Sequence, residues 1–209
     1  AEITDFWAMV FNPSTVDRLL HVWIGAFILG GFFVMSISAY YVLKNRHLDA
    51  AKKMFDAGLV IALLASIAAP ISGHFQASTV AETQPAKLAA FEGHYETGPG
   101  DLYLFGVPDS EDQTVDYGVS VPGGLSFLLH GNFEEPVAGL DQFKPKNRPP
   151  VAIPFYTYHI MIALGMLFVL LTVGAAVLRW RGQLFEKRWL MRVFVFPIIG
   201  PYIANQAGW

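Results

Sequence analysis

The sequence predicts an all-α membrane protein with four transmembrane helices and a long extracytoplasmic loop between helices 2 and 3. Three observations predict this fold: long uncharged stretches, basic residues concentrated in two short connections, and acidic residues gathered in one polar segment. The mean hydropathy of +0.41 and the hydrophobic content of 54% agree with a membrane protein rather than a soluble bundle. We expect residues 1–209 to form a single membrane domain.

The predicted spans rest on length and on the absence of charge. A helix rises about 1.5 Å per residue, so roughly 20 apolar residues cross a hydrocarbon core of about 30 Å. The first three stretches contain no Asp, Glu, Lys or Arg, and the fourth contains Arg192 near its start, where a long side chain reaches the interface. Pro70 is expected to kink the second helix or end it early. The predicted spans are residues 19–43, 57–75, 151–178 and 189–209.

The distribution of charge predicts the orientation of the spans. Eight of the 14 Lys and Arg lie in the two short connections, which we therefore expect to face the cytoplasm. The long loop, residues 76–150, then faces outward, and it holds most of the 17 acidic residues. The net charge of −3 comes from the acidic residues of this loop, and it does not point to a nucleic-acid partner. The expected surroundings of the chain are the lipid bilayer. The eight basic residues are Lys44, Arg46, Lys52, Lys53, Arg179, Arg181, Lys187 and Arg188.

His21 and Met161 are candidate iron ligands inside two of the apolar stretches, near ends that share one side. The chain has no cysteine, so any haem is held only by axial ligands and packing. Gly25 and Gly165 each follow a candidate ligand by one turn, on the same helix face, where a glycine leaves room for a flat macrocycle.

Other interpretations of these residues stay open at this point. A single methionine in an apolar helix usually serves packing, and an interfacial histidine also hydrogen-bonds lipid headgroups. His74 and His159 lie near the same side, so a bis-histidine site is an alternative. His159 and Met161 are two residues apart, about 200° around a helix, so both cannot face one iron.

The loop contains a second candidate site, which consists of Lys87 and Glu92. Pro85 is expected to open a short helix on which Lys87, Phe91 and Tyr95 share one face. An ordinary solvated charge pair is one interpretation of Lys87 and Glu92. The functional interpretation is quinol oxidation, in which a carboxylate accepts a proton from the quinol hydroxyl and a lysine orients the ring oxygen.

Several ordered segments together resemble subunit I of the cytochrome bd quinol oxidases, specifically its central to C-terminal part in the form with a short quinol loop. The resemblance covers nearly the whole chain. The segments that carry it are Phe11–Pro13 before His21, Phe27–Gly30, Ser36–Lys44, Lys87–Glu92 with Glu96–Thr97, Leu104–Asp109, Pro136–Leu140, Ile160–Met161 and Ala207–Trp209.

The resemblance implies specific roles for the candidate residues. In that family a low-spin haem b is held by a His and a Met at the positions of His21 and Met161. The Lys and Glu of the family's quinol-binding loop match Lys87 and Glu92. The chain is therefore expected to be the quinol-oxidising, low-spin haem b-binding part of a quinol:oxygen oxidoreductase.

The resemblance also implies partners. The high-spin b and d-type haems, where oxygen is reduced, are expected on sequence outside this chain or on a partner chain, so this chain alone is expected to lack the oxygen-reducing site. Expected partners are membrane quinol, a second oxidase subunit and the remaining part of subunit I. The expected location is a bacterial or archaeal cytoplasmic membrane.

One departure from the family pattern concerns the haem surroundings. The family usually carries an Arg two residues before the ligand Met, and this chain has His159 there, which carries a positive charge only when protonated. Two alternative functions follow from other classes of protein. One is a haem-b membrane subunit with a non-oxygen acceptor, and the other is a haem-free structural paralogue.

Overall fold

The computed structural model describes residues 5–12 and 14–208, and it is mostly helical with a small amount of β-structure between two long helices. Three single turns of 3-10 helix complete the secondary structure of these residues. The helices are α1 Phe6–Val10, α2 Thr15–Leu43, α3 Leu48–Thr83, α4 Pro85–Glu92, α5 Gly124–His130, α6 Ala152–Trp180, α7 Arg188–Val195 and α8 Ile199–Ala207. The strands are β1 Gly98–Pro99, β2 Leu102–Asp109, β3 Thr114–Val121 and β4 Pro136–Val137.

Three helices, α2, α3 and α6, are long and apolar enough to cross a membrane by length and composition. They confirm the first three predicted spans, although each helix extends beyond its uncharged stretch. The largest difference is in α3, which continues through Pro70 to Thr83, so Pro70 does not end it. Because α3 already begins at Leu48, Lys52 and Lys53 lie within this helix rather than in the connection before it.

The fourth predicted span is not one continuous helix. Residues 188–207 form α7 and α8, which are separated at Phe196–Ile198, and the predicted end of the span, Trp209, lies outside the described residues. Helices of 8 and 9 residues rise only about 12–14 Å at 1.5 Å per residue. Pro197 explains the break, because it lacks the N–H that would continue the helical hydrogen bonds.

The described residues divide into two compact units by their contacts, and residues 16–72 and 161–209 make up one of them. Within it, α2 and α3 approach closely at Gly31 and Gly58. A Cβ on either glycine would lie 2.9 Å from the carbonyl oxygen of the other, which leaves no room for a side chain. Phe32, Phe55 and Phe194 are almost fully buried in the core of this unit.

The second unit consists of residues 1–15 and 73–160, and it corrects the prediction of an all-α protein. β2 and β3 form an antiparallel hairpin with register shifts on either side of Phe105, and β1 pairs with β4. α5 supplies a further short helix in a region where the sequence predicts no helix. The polar segment thus has its own folded structure, and it runs from residue 84 to residue 151 because α3 is longer than predicted.

α4 matches the predicted short helix at its start and differs at its end. Pro85 lies in the first turn, where its missing N–H costs no helical hydrogen bond. Gly93 adopts φ +66 and ends the helix, and its N–H donates to the carbonyls of Ala89 and Ala90. Tyr95 therefore lies beyond α4, and the prediction that it continues the face of Lys87 and Phe91 is wrong.

Candidate functional site

His21, in α2, is half-buried and bonded to α3 through one ring nitrogen. Its Nδ1 lies 2.7 Å from the hydroxyl oxygen of Ser72. This contact fixes the ring orientation and leaves Nε2 as the nitrogen available to a metal. Histidines that bind metals are typically held in this way, by a hydrogen bond to the nitrogen that does not bind the metal.

His21 and Met161 lie at more similar distances from the starts of their helices than from the starts of the uncharged stretches. His21 lies six positions after Thr15, the first residue of α2, and Met161 lies nine positions after Ala152, the first residue of α6. At 1.5 Å per residue the two rises differ by about 5 Å. The uncharged stretches alone imply a difference of about 12 Å.

Gly25 and Met161 both contact one turn of α8. The side chain of Asn205 donates a hydrogen bond to the carbonyl of Gly25 at 3.4 Å. Three residues later, a Cβ on Gly208 would lie 3.3 Å from the sulfur of Met161. The last turn of α8 therefore meets the turn after His21, and Gly208, the residue that caps α8, meets the Met161 sulfur.

The two glycines predicted to leave space beside the ligands differ in their surroundings. Nothing lies within 4 Å of a Cβ built on Gly165, as expected for open space. A Cβ built on Gly25 would lie 2.5 Å from Oδ1 of Asn205, so the amide occupies that space. Open space is therefore present beside Gly165 and filled beside Gly25, and a haem-facing role of Gly165 stays a prediction.

His159 contacts two backbone carbonyls and has no ring nitrogen left for a metal. Nδ1 lies 2.7 Å from the carbonyl oxygen of Phe155, and Nε2 lies 3.0 Å from that of Tyr103. A neutral imidazole has a single N–H, so only the doubly protonated ring donates to both carbonyls. This arrangement disfavours His159 as an iron ligand.

His74 also fits poorly as a partner for His21. It lies two residues after Ser72 on α3, about 200° around the helix from the side chain that holds His21. The local geometry thus disfavours both His74 and His159 as a second histidine ligand. We therefore consider Met161 as the partner of His21.

Glu92, the last residue of α4, is a buried carboxyl group with an incomplete set of hydrogen bonds. Its side chain is 1% exposed, and Oε2 has no hydrogen-bond partner within the described residues. Burial raises the pKa of Glu92 to about 7, because the charged form loses its hydration, and a hydrogen bond with Tyr158 partly opposes this rise. The interpretation of Glu92 as half of a solvated charge pair is therefore wrong.

Lys87 lies on the opposite, exposed side of the same short helix. Its neighbours Leu88, Ala89 and Ala90 are buried, so α4 turns an apolar face inward and leaves the lysine head group in solvent. The predicted Lys–Glu motif thus places one flexible cation outside and one protonatable carboxyl inside.

Sequence reasoning missed three residues that contact the candidates: Ser72, Asn205 and Tyr158. Ser72 lies 51 residues from His21, and Asn205 lies 180 residues from Gly25. Contacts between residues so far apart in the sequence cannot be predicted from the spacing of neighbouring residues. The available signal is chemical, because Ser72 and Asn205 are polar residues within predicted apolar spans.

The comparisons with known proteins identify the family of the chain. The family model described as "Cytochrome bd terminal oxidase subunit I" matches residues 1–209. The chain belongs to the cytochrome bd terminal oxidase subunit I family. This confirms the resemblance that the sequence motifs indicate.

Individual relatives in the cytochrome bd family agree with the assignment. The chain is 31% identical to "Cytochrome bd ubiquinol oxidase subunit 1" and 33% identical to "Putative cytochrome bd menaquinol oxidase subunit I", both from Bacillus subtilis (strain 168), with all of this chain aligned. These alignments cover 47% and 48% of the relatives. The chain thus spans about half the length of the curated relatives that it matches.

A solved cytochrome bd structure supports the fold. The structure described as "The structure of bd oxidase from Geobacillus thermodenitrificans" matches with a TM-score of 0.86 and 30% identity, over 98% of this chain and 48% of that chain. The described helices and loop therefore follow the fold of a bd oxidase subunit.

The donor set of this chain fits a b-type haem. His21 offers a free Nε2 and Met161 a thioether sulfur, on two helices that both meet the C-terminal end of α8. Imidazole with thioether is an established axial pair for haem iron, and it raises the reduction potential.

Replacing Ser72 by alanine tests the support of the candidate ligand His21. Without the hydroxyl, Nδ1 loses its partner and the ring loses its fixed orientation, so we expect about a tenfold faster loss of b haem. The measurement is the decay of the low-spin b absorbance of the assembled oxidase with an excess haem-scavenging protein. Ser78→Ala is the matched control, because the Ser78 hydroxyl bonds only the carbonyl of His74 one turn earlier. Equal decay rates for the two variants would contradict the role of Ser72.

Proposed function

We propose that this chain is the quinol-oxidising, low-spin haem b-binding part of a cytochrome bd-type quinol:oxygen oxidoreductase. The observation that carries the proposal is the buried Glu92 carboxyl, with one oxygen lacking a partner and a pKa of about 7, in the segment that matches the family's quinol loop. A general base whose pKa lies near the operating pH combines the ionised form with a useful affinity for protons.

His21 and Met161 are the residues that would hold the haem. The haem supplies a one-electron acceptor whose potential the thioether ligand raises toward that of quinol. The chain contributes the orientation of the imidazole through Ser72 and the close approach of α8 at Gly208. Gly165 leaves open space on the face of Met161.

Glu92 and Lys87 have different roles in quinol oxidation. The ionised Glu92 accepts the proton of a quinol hydroxyl, and its burial keeps bulk water from competing for that proton. Lys87, at the exposed surface of α4, donates hydrogen bonds from its ammonium group to a quinol oxygen and so orients the ring.

Assembly and orientation follow from the same proposal. The loop between α3 and α6 faces the outer side of a bacterial or archaeal cytoplasmic membrane, so the protons of quinol leave on that side. Electrons continue to high-spin b and d-type haems on the remaining part of subunit I or on a partner chain. A second oxidase subunit completes the complex.

Replacing Lys87 by methionine tests the proposed quinol site. Methionine keeps an unbranched chain and removes the ammonium group, so we expect the KM for quinol to rise about tenfold through the loss of a charged hydrogen bond. The measurement is steady-state quinol oxidation by the assembled oxidase at matched haem content. Lys146→Met, at an exposed position of the same loop, is the control. An unchanged KM for Lys87→Met would remove Lys87 from the site.

A further inference from the structure

Tyr158 lies beside Glu92 although no sequence motif connects the two residues. It is the seventh residue of α6, and its ring packs on Phe91 with a centroid separation of 4.2 Å and an interplanar angle of 36°. Both rings belong to an apolar cluster that also contains Leu88 and Leu125. The ring position of Tyr158 is thus fixed by packing, which brings its hydroxyl to the carboxyl of the adjacent Glu92.

The two carboxyl oxygens of Glu92 have different surroundings. The Tyr158 hydroxyl lies beside the carboxyl group, and Oε2 has no hydrogen-bond partner within the described residues. We propose that Tyr158 is a positioning residue for quinol oxidation, whose hydroxyl stabilises the ionised carboxyl group of Glu92 and leaves Oε2 as the proton acceptor. This inference rests on the proposed function of the loop.

Quinol releases two protons when it is oxidised, so Glu92 has to accept a proton twice in each turnover. In each half of quinol oxidation one O–H bond of the substrate breaks and its proton bonds to Oε2 of Glu92. A b haem held by His21 and Met161 would take up one electron in each half and would have to pass the first electron on before the second. Glu92 must release the first proton before it accepts the second. A hydroxyl that donates to the carboxylate stabilises the ionised form, so Tyr158 favours both the vacant acceptor state and the release step.

The surroundings of Glu92 contain few other groups that change its charge. Burial and the Tyr158 hydroxyl are the causes that set its pKa. The neighbouring elements also carry titratable side chains. They are Lys87, His94 and Tyr95 on or just after α4, Glu82 on α3, His130 on α5, Glu135 just before β4, Asp141 in the 3-10 turn that follows β4, and Tyr156 and His159 on α6.

Tyr158→Phe tests the proposal in the assembled oxidase, because phenylalanine keeps the ring that packs on Phe91 and removes only the hydroxyl. The lost hydrogen bond had stabilised the carboxylate, so the pKa of Glu92 rises and more alkaline conditions are needed to ionise it. We expect the acidic limb of the pH profile of kcat/KM for quinol to move upward by roughly 1 pH unit. Tyr156→Phe, at an exposed position of the same helix, is the control.

The outcomes separate this inference from the proposed function. In a Glu92→Gln background, Tyr158→Phe is expected to cause no further change in rate or pH profile, since there is no carboxylate left to position. An unshifted pH profile for Tyr158→Phe, with normal haem spectra and a strongly impaired Glu92→Gln enzyme, would overturn the role of Tyr158 alone. Full activity of Glu92→Gln would overturn the proposed function itself. An equal loss from Tyr158→Phe in both backgrounds would mean a purely structural role.

Discussion

Replacing Met161 by leucine is expected to abolish the low-spin b-haem signal of the assembled oxidase. Leucine matches methionine in volume, so the packing of α6 changes little and the loss of stability stays below about 1.5 kcal/mol. The sulfur is the only ligand atom that the change removes. An iron held by His21 alone would be high-spin. The measurement is the reduced-minus-oxidised optical spectrum at matched protein concentration.

Met166→Leu is the control for this experiment. Met166 lies on the same helix one turn and a half further on, and its side chain is 54% exposed, so it lacks the contact with α8 that Met161 makes through Gly208. We expect an unaltered low-spin signal for this variant. An unaltered signal for Met161→Leu as well would remove Met161 from the site.

Replacing Glu92 by glutamine is expected to slow quinol oxidation about 100-fold or more, because a positioned general base typically contributes a factor of that size. Glutamine has the same shape and still accepts a hydrogen bond from Tyr158 through its amide oxygen, so the fold and the haem spectra should remain normal. The measurement is kcat for quinol oxidation in the assembled oxidase, normalised to haem. Glu96→Gln, at an exposed position shortly after α4, is the control. Undiminished turnover by Glu92→Gln would reject proton acceptance by this residue.

The pH dependence gives a second readout of the same variant. The ionised carboxylate is the active form, so quinol oxidation by the unaltered enzyme should fall as the pH drops through the Glu92 pKa of about 7. The residual activity of Glu92→Gln should lack this acidic limb. Persistence of the limb in the glutamine variant would assign it to another group.

The long helices could be predicted because length and lack of charge suffice to identify them. α2, α3 and α6 each contain an uncharged stretch that meets the bilayer requirement. The boundaries were less accurate, because polar residues such as Gln76 to Thr83 continue a helix as readily as they leave it. The rule that proline ends a helix does not hold at both prolines. Pro70 is tolerated inside α3, whereas Pro197 separates α7 from α8.

The candidate site could be predicted in its ligands and loop residues and not in its supporting contacts. His21 and Met161 stand out as rare donor types in apolar helices, and Lys87 and Glu92 stand out through the family motif. The burial of Glu92 was not predictable, because it depends on Tyr158 and on an apolar cluster assembled from distant segments. The hairpin of β2 and β3 was missed although Val115, Val119 and Val121 carry a strand-forming signal.

The decisive measurement is density for the assembled oxidase at a resolution that separates the two candidate iron ligands. We expect one macrocycle held between Nε2 of His21 and the sulfur of Met161, with Nδ1 of His21 still bonded to Ser72. An iron bound by His74 or His159 in place of Met161 would contradict it, as would His21 and Met161 with no macrocycle between them.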